Sequence, residues 1–269
     1  MRTLLLIFLV SISQLAYSAT ARNYVLIDAD NQEVINAKGI QDVVPLASIT
    51  KLMTVLVTLN SGVDLEEKVT VIGKESSSRI KSGQRMKRID LIHLALVSSD
   101  NLAARTLAET TMSSYSAFIF AMNQLADELG MTNTNFIEPT GLSVFNVSTP
   151  WDVYLLTKET SKHPVFGEDA MTKVVEVYTE VKRKVKKVFG TNTNSFAGTM
   201  KIHSAKTGYT NPAGRCLTML IEQNGRKFVV VVMGAKTPKE RQQIIQNLIV
   251  EYNKRVYTTD NTLKGINFD

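Results

Sequence analysis

Two spacings of apolar residues alternate along the chain, and their order predicts its architecture. Near the start, the apolar runs 24–28 and 33–37 flank Asp30-Asn31-Gln32, the pattern of a β-hairpin. From Ser48 the spacing lengthens. Ile49, Leu52, Met53, Leu56 and Leu59 fall three and four apart, on one face of a helix over 48–60 that stops near Asn60 and Gly62. Further helices are predicted over 89–97, 102–109 and 114–129, the last ended by Gly130. Thr149-Pro150-Trp151 opens another to about 161, with proline in the first turn, where its missing N–H costs nothing. The pattern then returns to strands at 203–210, 216–222 and 226–233. The last two are joined through Gln223-Asn224-Gly225, whose Asn-Gly favours a tight hairpin. Pro238 starts a closing amphipathic helix to about 252. Strands, helices, strands, helix is the order of an α+β fold: an antiparallel sheet built from both chain ends and flanked by helices, with a helical lobe inserted between.

The first 21 residues stand outside this plan. Met1-Arg2 gives a positive start, residues 4–12 are almost wholly apolar, and small residues follow at Ala16, Ser18, Ala19 and Ala21. That is the layout of a secretory signal, and the apolar run is short for a bilayer span. The expected organisation is a signal peptide over 1–21, one domain over 22–257 and a polar tail over 258–269. At 44% hydrophobic and 21% charged residues the chain is composed like a globular protein, which excludes a disordered or multi-span class. Cys216 is the only cysteine, so no intrachain disulfide can form, and its strand-like setting predicts a small buried side chain.

The formal charge of +6 becomes +5 without the leader, which contributes only Arg2. A basic balance raises nucleic acid as a partner, but the basic residues are not interleaved with aromatics and the leader predicts export, so none is expected. The densest basic stretch, 181–188, reads as a solvated strand or hairpin edge guarded by lysines; attraction to an anionic polymer of the envelope is the sharper alternative. No second apolar segment of spanning length and no basic amphipathic tail predicts a stable membrane anchor.

The candidate chemistry lies in three short strings, each present once. They are Ser48-Ile49-Thr50-Lys51, Ser99-Asp100-Asn101 and Lys206-Thr207-Gly208. A serine hydroxyl needs a base, and Lys51 is one helical turn from Ser48 on the same face. An enclosed lysine can be neutral enough to take the proton, and a helix start offers N–H groups to an oxyanion. Taken singly, each string has a plainer meaning: Ser48 as a helix cap, Ser99 to Asn101 as a turn, Lys206 as an edge-strand charge. Other hydrolase plans are missing. There is no Gly-x-Ser-x-Gly elbow and no His-Glu-x-x-His, and His93, His163 and His203 form no triad-like pattern. No metal and no cofactor is implied.

In this order the three strings are the known signature of the active-site-serine, penicillin-recognising enzymes. Nearly the whole chain after the leader resembles the low-molecular-mass penicillin-binding proteins, the serine-type D-Ala-D-Ala carboxypeptidases and D,D-endopeptidases. The resemblance also rests on Leu129-Gly130-Met131, Lys206 to Asn211, and the strings Glu138-Pro139-Thr140-Gly141-Leu142-Ser143 and Asn146-Val147-Ser148-Thr149; the last two match the endopeptidase branch letter for letter. It implies the transpeptidase/β-lactamase-like fold and acylation of Ser48 by a D-Ala carbonyl, followed by hydrolysis. Lys51 and Ser99 would move protons. Asn101, Lys206, Thr207, Gly208 and Tyr209 would bind substrate, with the oxyanion on the N–H groups of Ser48 and Tyr209. The expected partners are peptidoglycan peptide stems and acylating β-lactams. Only 61 residues follow Gly208, too few for the C-terminal β-domain and membrane helix of several family carboxypeptidases, so a periplasmic endopeptidase is expected. A carboxypeptidase of the same family is the alternative. Asp100 and Glu138-Pro139 resemble the second motif and the deacylating glutamate loop of class A β-lactamases, which keeps a β-lactamase open. A non-catalytic binding protein would need a lost catalytic residue, and none is missing.

Overall fold

The structure, a computed structural model, describes residues 21–74 and 77–264. In chain order the elements are β1 (Asn23–Asp28), β2 (Val34–Lys38), β3 (Val44–Pro45), a 3-10 turn (Ala47–Ile49), α1 (Thr50–Asn60), β4 (Lys68–Thr70), β5 (Arg85–Lys87), α2 (Arg88–Val97), α3 (Asn101–Thr111) and α4 (Tyr115–Glu128). They continue with β6 (Val147–Ser148), α5 (Pro150–Thr160), α6 (Pro164–Met171), β7 (Val174–Val181), β8 (Lys184–Thr191), β9 (Lys201–Thr210), β10 (Gly214–Gln223), β11 (Arg226–Ala235) and α7 (Pro238–Lys264).

Five antiparallel strands form the main sheet in the order β2-β1-β11-β10-β9, so the first strands pair with the last, as expected of an α+β fold. β11 is the centre, and Phe228 to Met233 are fully buried because helices cover both faces. One apolar cluster joins alternate sheet residues such as Val229 and Val231 to α1, α2, α3 and α5; a second joins Val230, Val232 and Leu217 to Ile245, Leu248 and Tyr252 of α7. The helical lobe α1–α4 therefore sits on the face opposite α7. Capping follows the sequence: Ser114 accepts from Ala117 N at the start of α4, and Thr149 accepts from Asp152 N at the start of α5, with Pro150 in the first turn.

Several features were not predicted. A second sheet, β4-β5-β7-β8, forms from short or heavily charged strands whose apolar alternation is weak. Within it the basic stretch is a hairpin with β8 on the sheet edge, the guarded edge the lysines predict; Lys182 and Arg183 take positive φ in its turn. α6 starts at Pro164 and is too short for periodicity to reveal. The helix expected to begin at Ser48 is preceded by a 3-10 turn, and the closing helix runs to Lys264, past its predicted end at 252 and into the expected tail. The expected leader up to residue 20 and residues 265–269 lie outside the described residues. Among the described residues no helix is long and apolar enough to cross a membrane.

Candidate active site

Ser48 sits in the 3-10 turn ahead of α1, after Ala47 with φ of +48°, and its side chain caps neither helix. The capping role open to it in sequence is thus excluded. One turn on, the side chain of Lys51 is wholly buried, with Nζ 2.9 Å from Ser48 Oγ. Lys51 also donates to Asn101 Oδ1 at 2.7 Å and to the Thr140 carbonyl at 2.6 Å. If the amine is neutral, these two acceptors can take its two N–H groups and turn its lone pair toward the Ser48 hydroxyl.

Asn101 opens α3 and lies next to Ser99, which lines the same cleft as Ser48 and holds φ of +58°. A non-glycine residue in that region stores about 1–3 kcal/mol of strain, and both Ala47 and Ser99 bear it beside the cleft. Asp100 turns the other way. Its buried carboxylate caps α3 through Leu102 N and Ala103 N and accepts from Ser78 Oγ and Arg79 N.

The 138–146 loop is bound to the start of α1. Thr54 Oγ1 donates to the Pro139 carbonyl at 2.7 Å, and Asn146 Nδ2 donates to Thr50 Oγ1. Glu138 folds the loop on itself, its carboxylate accepting from Thr140 N, Thr140 Oγ1, Gly141 N, Ser143 N and Asn146 Nδ2. Every one of those donors lies in the loop, so the carboxylate is spent on holding it. Gly141, at φ +84°, runs so close to the nucleophile turn that a Cβ would stand 1.8 Å from the Ala47 carbonyl oxygen. Thr140, whose carbonyl receives Lys51, was not singled out in sequence; a main-chain acceptor carries no residue signature.

β9 forms the opposite wall and is the edge of the main sheet. Lys206 is buried, donates to the Thr207 carbonyl, and is pushed well below the ordinary lysine range by burial, then by the charges of Lys51 and Arg241. Thr207 Oγ1 lies 2.5 Å from Thr193 Oγ1 on the cleft wall. At Gly208 a Cβ would stand 3.0 Å from the Leu46 carbonyl oxygen and 3.1 Å from Ser48 N. The glycine admits the nucleophile turn. Tyr209 is half exposed beside it.

The cleft between these walls measures about 310 Å³. Sequence reasoning missed Arg215 and Arg241, which also line it, because arginines in an ordinary strand and helix carry no motif. Among the described residues no carboxylate lines the cleft, so it suits an anion. The histidines stand apart from it. His93 pairs with Asp169, His203 with Glu222, and His163 packs on Phe166. Cys216 is buried and its thiol is pushed up to about 11 by that burial, which makes it inert.

Three comparisons relate the whole chain to known proteins. The family described as D-alanyl-D-alanine carboxypeptidase matches residues 10–237. The D-alanyl-D-alanine endopeptidase of Escherichia coli K12 is 38% identical over 222 residues, which cover 78% of this chain and 70% of that protein. The protein of the same description in Pseudomonas aeruginosa is 38% identical over 217 residues, covering 77% and 69%. Among solved structures, penicillin-binding protein D2 of Listeria monocytogenes in its ampicillin-bound form superposes with a TM-score of 0.76 at 28% identity, covering 86% of this chain and 96% of that one. The Streptomyces K15 DD-transpeptidase shares the fold at a TM-score of 0.81 and 23% identity, over the same shares.

Proposed function

The chain belongs to the D-alanyl-D-alanine carboxypeptidase family of serine peptidases, and from that premise we propose that it is an exported D,D-endopeptidase of peptidoglycan. Its substrate is the D-Ala–diaminopimelate cross-link, and its intermediate an acyl-enzyme on Ser48. The observation that carries the reading is the Lys51 amine, 2.9 Å from Ser48 Oγ and held by Asn101 and Thr140.

The steps follow from that contact. Lys51 takes the Ser48 proton as Oγ attacks the D-Ala carbonyl carbon. The oxyanion is bound by the N–H groups of Ser48 and Tyr209, and Gly208, which precedes Tyr209, packs at the Ser48 nitrogen. The tetrahedral intermediate collapses, the C–N bond breaks, and the departing amine receives a proton from Lys51 by way of Ser99. Water, deprotonated in the same way, cleaves the ester and restores Ser48. Lys51 is wholly buried near Lys206, a setting that disfavours a second positive charge and so supports the base role. Thr207 and Lys206 hold the carboxylate beside the scissile bond.

The β-lactamase alternative loses its support, because Glu138 and Asp100 are spent on loop and helix contacts. Export to the periplasm rests on the leader pattern over residues 1–21: a positive start, an apolar run and small residues after it. Fluorescent penicillin gives the first test: a long-lived label on the wild type and none on Ser48→Ala is expected, and a label lost within seconds would restore the β-lactamase. Digestion of purified cross-linked and uncross-linked muropeptides, read by mass, tests the substrate. Loss of dimers without pentapeptide trimming is expected; trimming alone would make the protein a carboxypeptidase.

A further inference from the structure

Arg215 is the cleft residue that the peptidase reading leaves without work. It is the second residue of β10, directly opposite Tyr209 of β9, so the two side chains share one face of the sheet. Its guanidinium lies over the Tyr209 ring at 3.5 Å from the centroid. Stacking uses the π-face of the guanidinium and leaves its in-plane N–H groups for an acceptor. No such acceptor is supplied: among the described residues Arg215 has no ion pair, and its Nε is buried without a partner.

A second guanidinium deepens the deficit. Arg241 is 8% exposed, donates to the Cys216 carbonyl at 3.3 Å, and also has a buried Nε without a partner. The Arg241 charge is felt at Lys206, and burial pushes Arg241 itself below its usual range, Cys216 opposing that shift and Arg215 adding to it. The carboxylate beside the scissile bond is already assigned to Thr207 and Lys206. That leaves the Arg215 guanidinium without an acceptor among the described residues.

Resting on the peptidase reading, we propose that Arg215, held over Tyr209, is a specificity-determining residue that binds a second carboxylate on the leaving half of the substrate. The site then prefers a dicarboxylic leaving group, as on diaminopimelate, to D-alanine. Arg215 lines the same cleft as Thr207, which the peptidase reading gives to the carboxylate of the leaving half. A planar fork with in-plane donors suits a carboxylate in two-point contact, which a lysine at the same place would match in charge but not in shape.

The test uses three peptides with one common acyl half. Their leaving groups are D-alanine, diaminopimelate joined through its D-centre with the distal carboxylate free, and the same diaminopimelate with that carboxylate amidated. Wild type is expected to favour the free over the amidated form in kcat/KM by roughly 10- to 100-fold. Arg215→Gln should bring that ratio to within about threefold, mainly through KM, and Arg215→Lys should keep an intermediate ratio. Acylation by benzylpenicillin, run on each variant, reports that the site is folded. An unchanged ratio in Arg215→Gln, or equal losses on all three peptides, would overturn the inference while leaving the peptidase reading in place. A wild type that cuts none of the three would overturn both.

Discussion

Five hydrogen bonds end on the Glu138 carboxylate, three on Oε1 and two on Oε2, all from its own loop. In sequence the same residue resembled a water-activating glutamate, because a carboxylate's role depends on which donors reach it. Glu138→Gln would point an amide NH2 at donors and is expected to cost about 1–3 kcal/mol of stability and to slow acylation through Thr140 and Lys51. Thermal melting and penicillin acylation kinetics check this; normal acylation followed by a stalled acyl-enzyme would return the deacylating role to Glu138. Asp100 carries the same lesson, as a cap and a tether for the 78–79 segment. Ser48, Lys51 and Asn101 were legible because their chemistry needs those side chains. Thr140 was not, since it acts through its backbone.

Two glycines hold the nucleophile turn between elements far apart in sequence. Gly141 brings the 138–146 loop against Ala47, and Gly208 brings β9 against Leu46 and Ser48. Gly208→Ala must push its neighbours by a few tenths of an ångström and so moves the Ser48 N–H away from the Tyr209 N–H. A misplacement on this scale is expected to slow acylation by about 10- to 100-fold while the fold survives. Stopped-time penicillin labelling measures it, and wild-type acylation in this variant would show that the contact is idle. Periodicity revealed α1–α5 and β9–β11 because each buries a repeating apolar face. It missed α6, β4 and β5, which are short, and it placed the start of α1 in a 3-10 turn.

Across the molecule, the helical lobe meets the sheet through α6, where Gly167 packs on the His203 backbone and Asp169 pairs with His93 of α2 at 2.8 Å. Burial opposes the His93 charge, but the hydrogen bond and charge of Asp169, with help from Asp90 and Glu168, outweigh it and leave the histidine raised. A raised histidine adds stability that is complete below about pH 6.5 and is lost as pH rises through its folded value. Melting temperature should therefore fall as pH rises above about 6.5, and His93→Gln should flatten that slope; equal slopes in both proteins would remove the pair from the account. The far end of the fold is closed by Tyr252 of α7, stacked on Phe228 at 4.0 Å and donating to Asp28 of β1. By itself the sequence determined the element order, the α+β class and the three strings, since periodicity and residue chemistry are local properties. Only the tertiary structure decided that Asn101 and Thr140 meet the Lys51 amine, that Asp100 is tied to Ser78 and Arg79, and that two arginines complete the cleft. Those are facts about which groups meet across long stretches of chain, and no local pattern encodes a meeting.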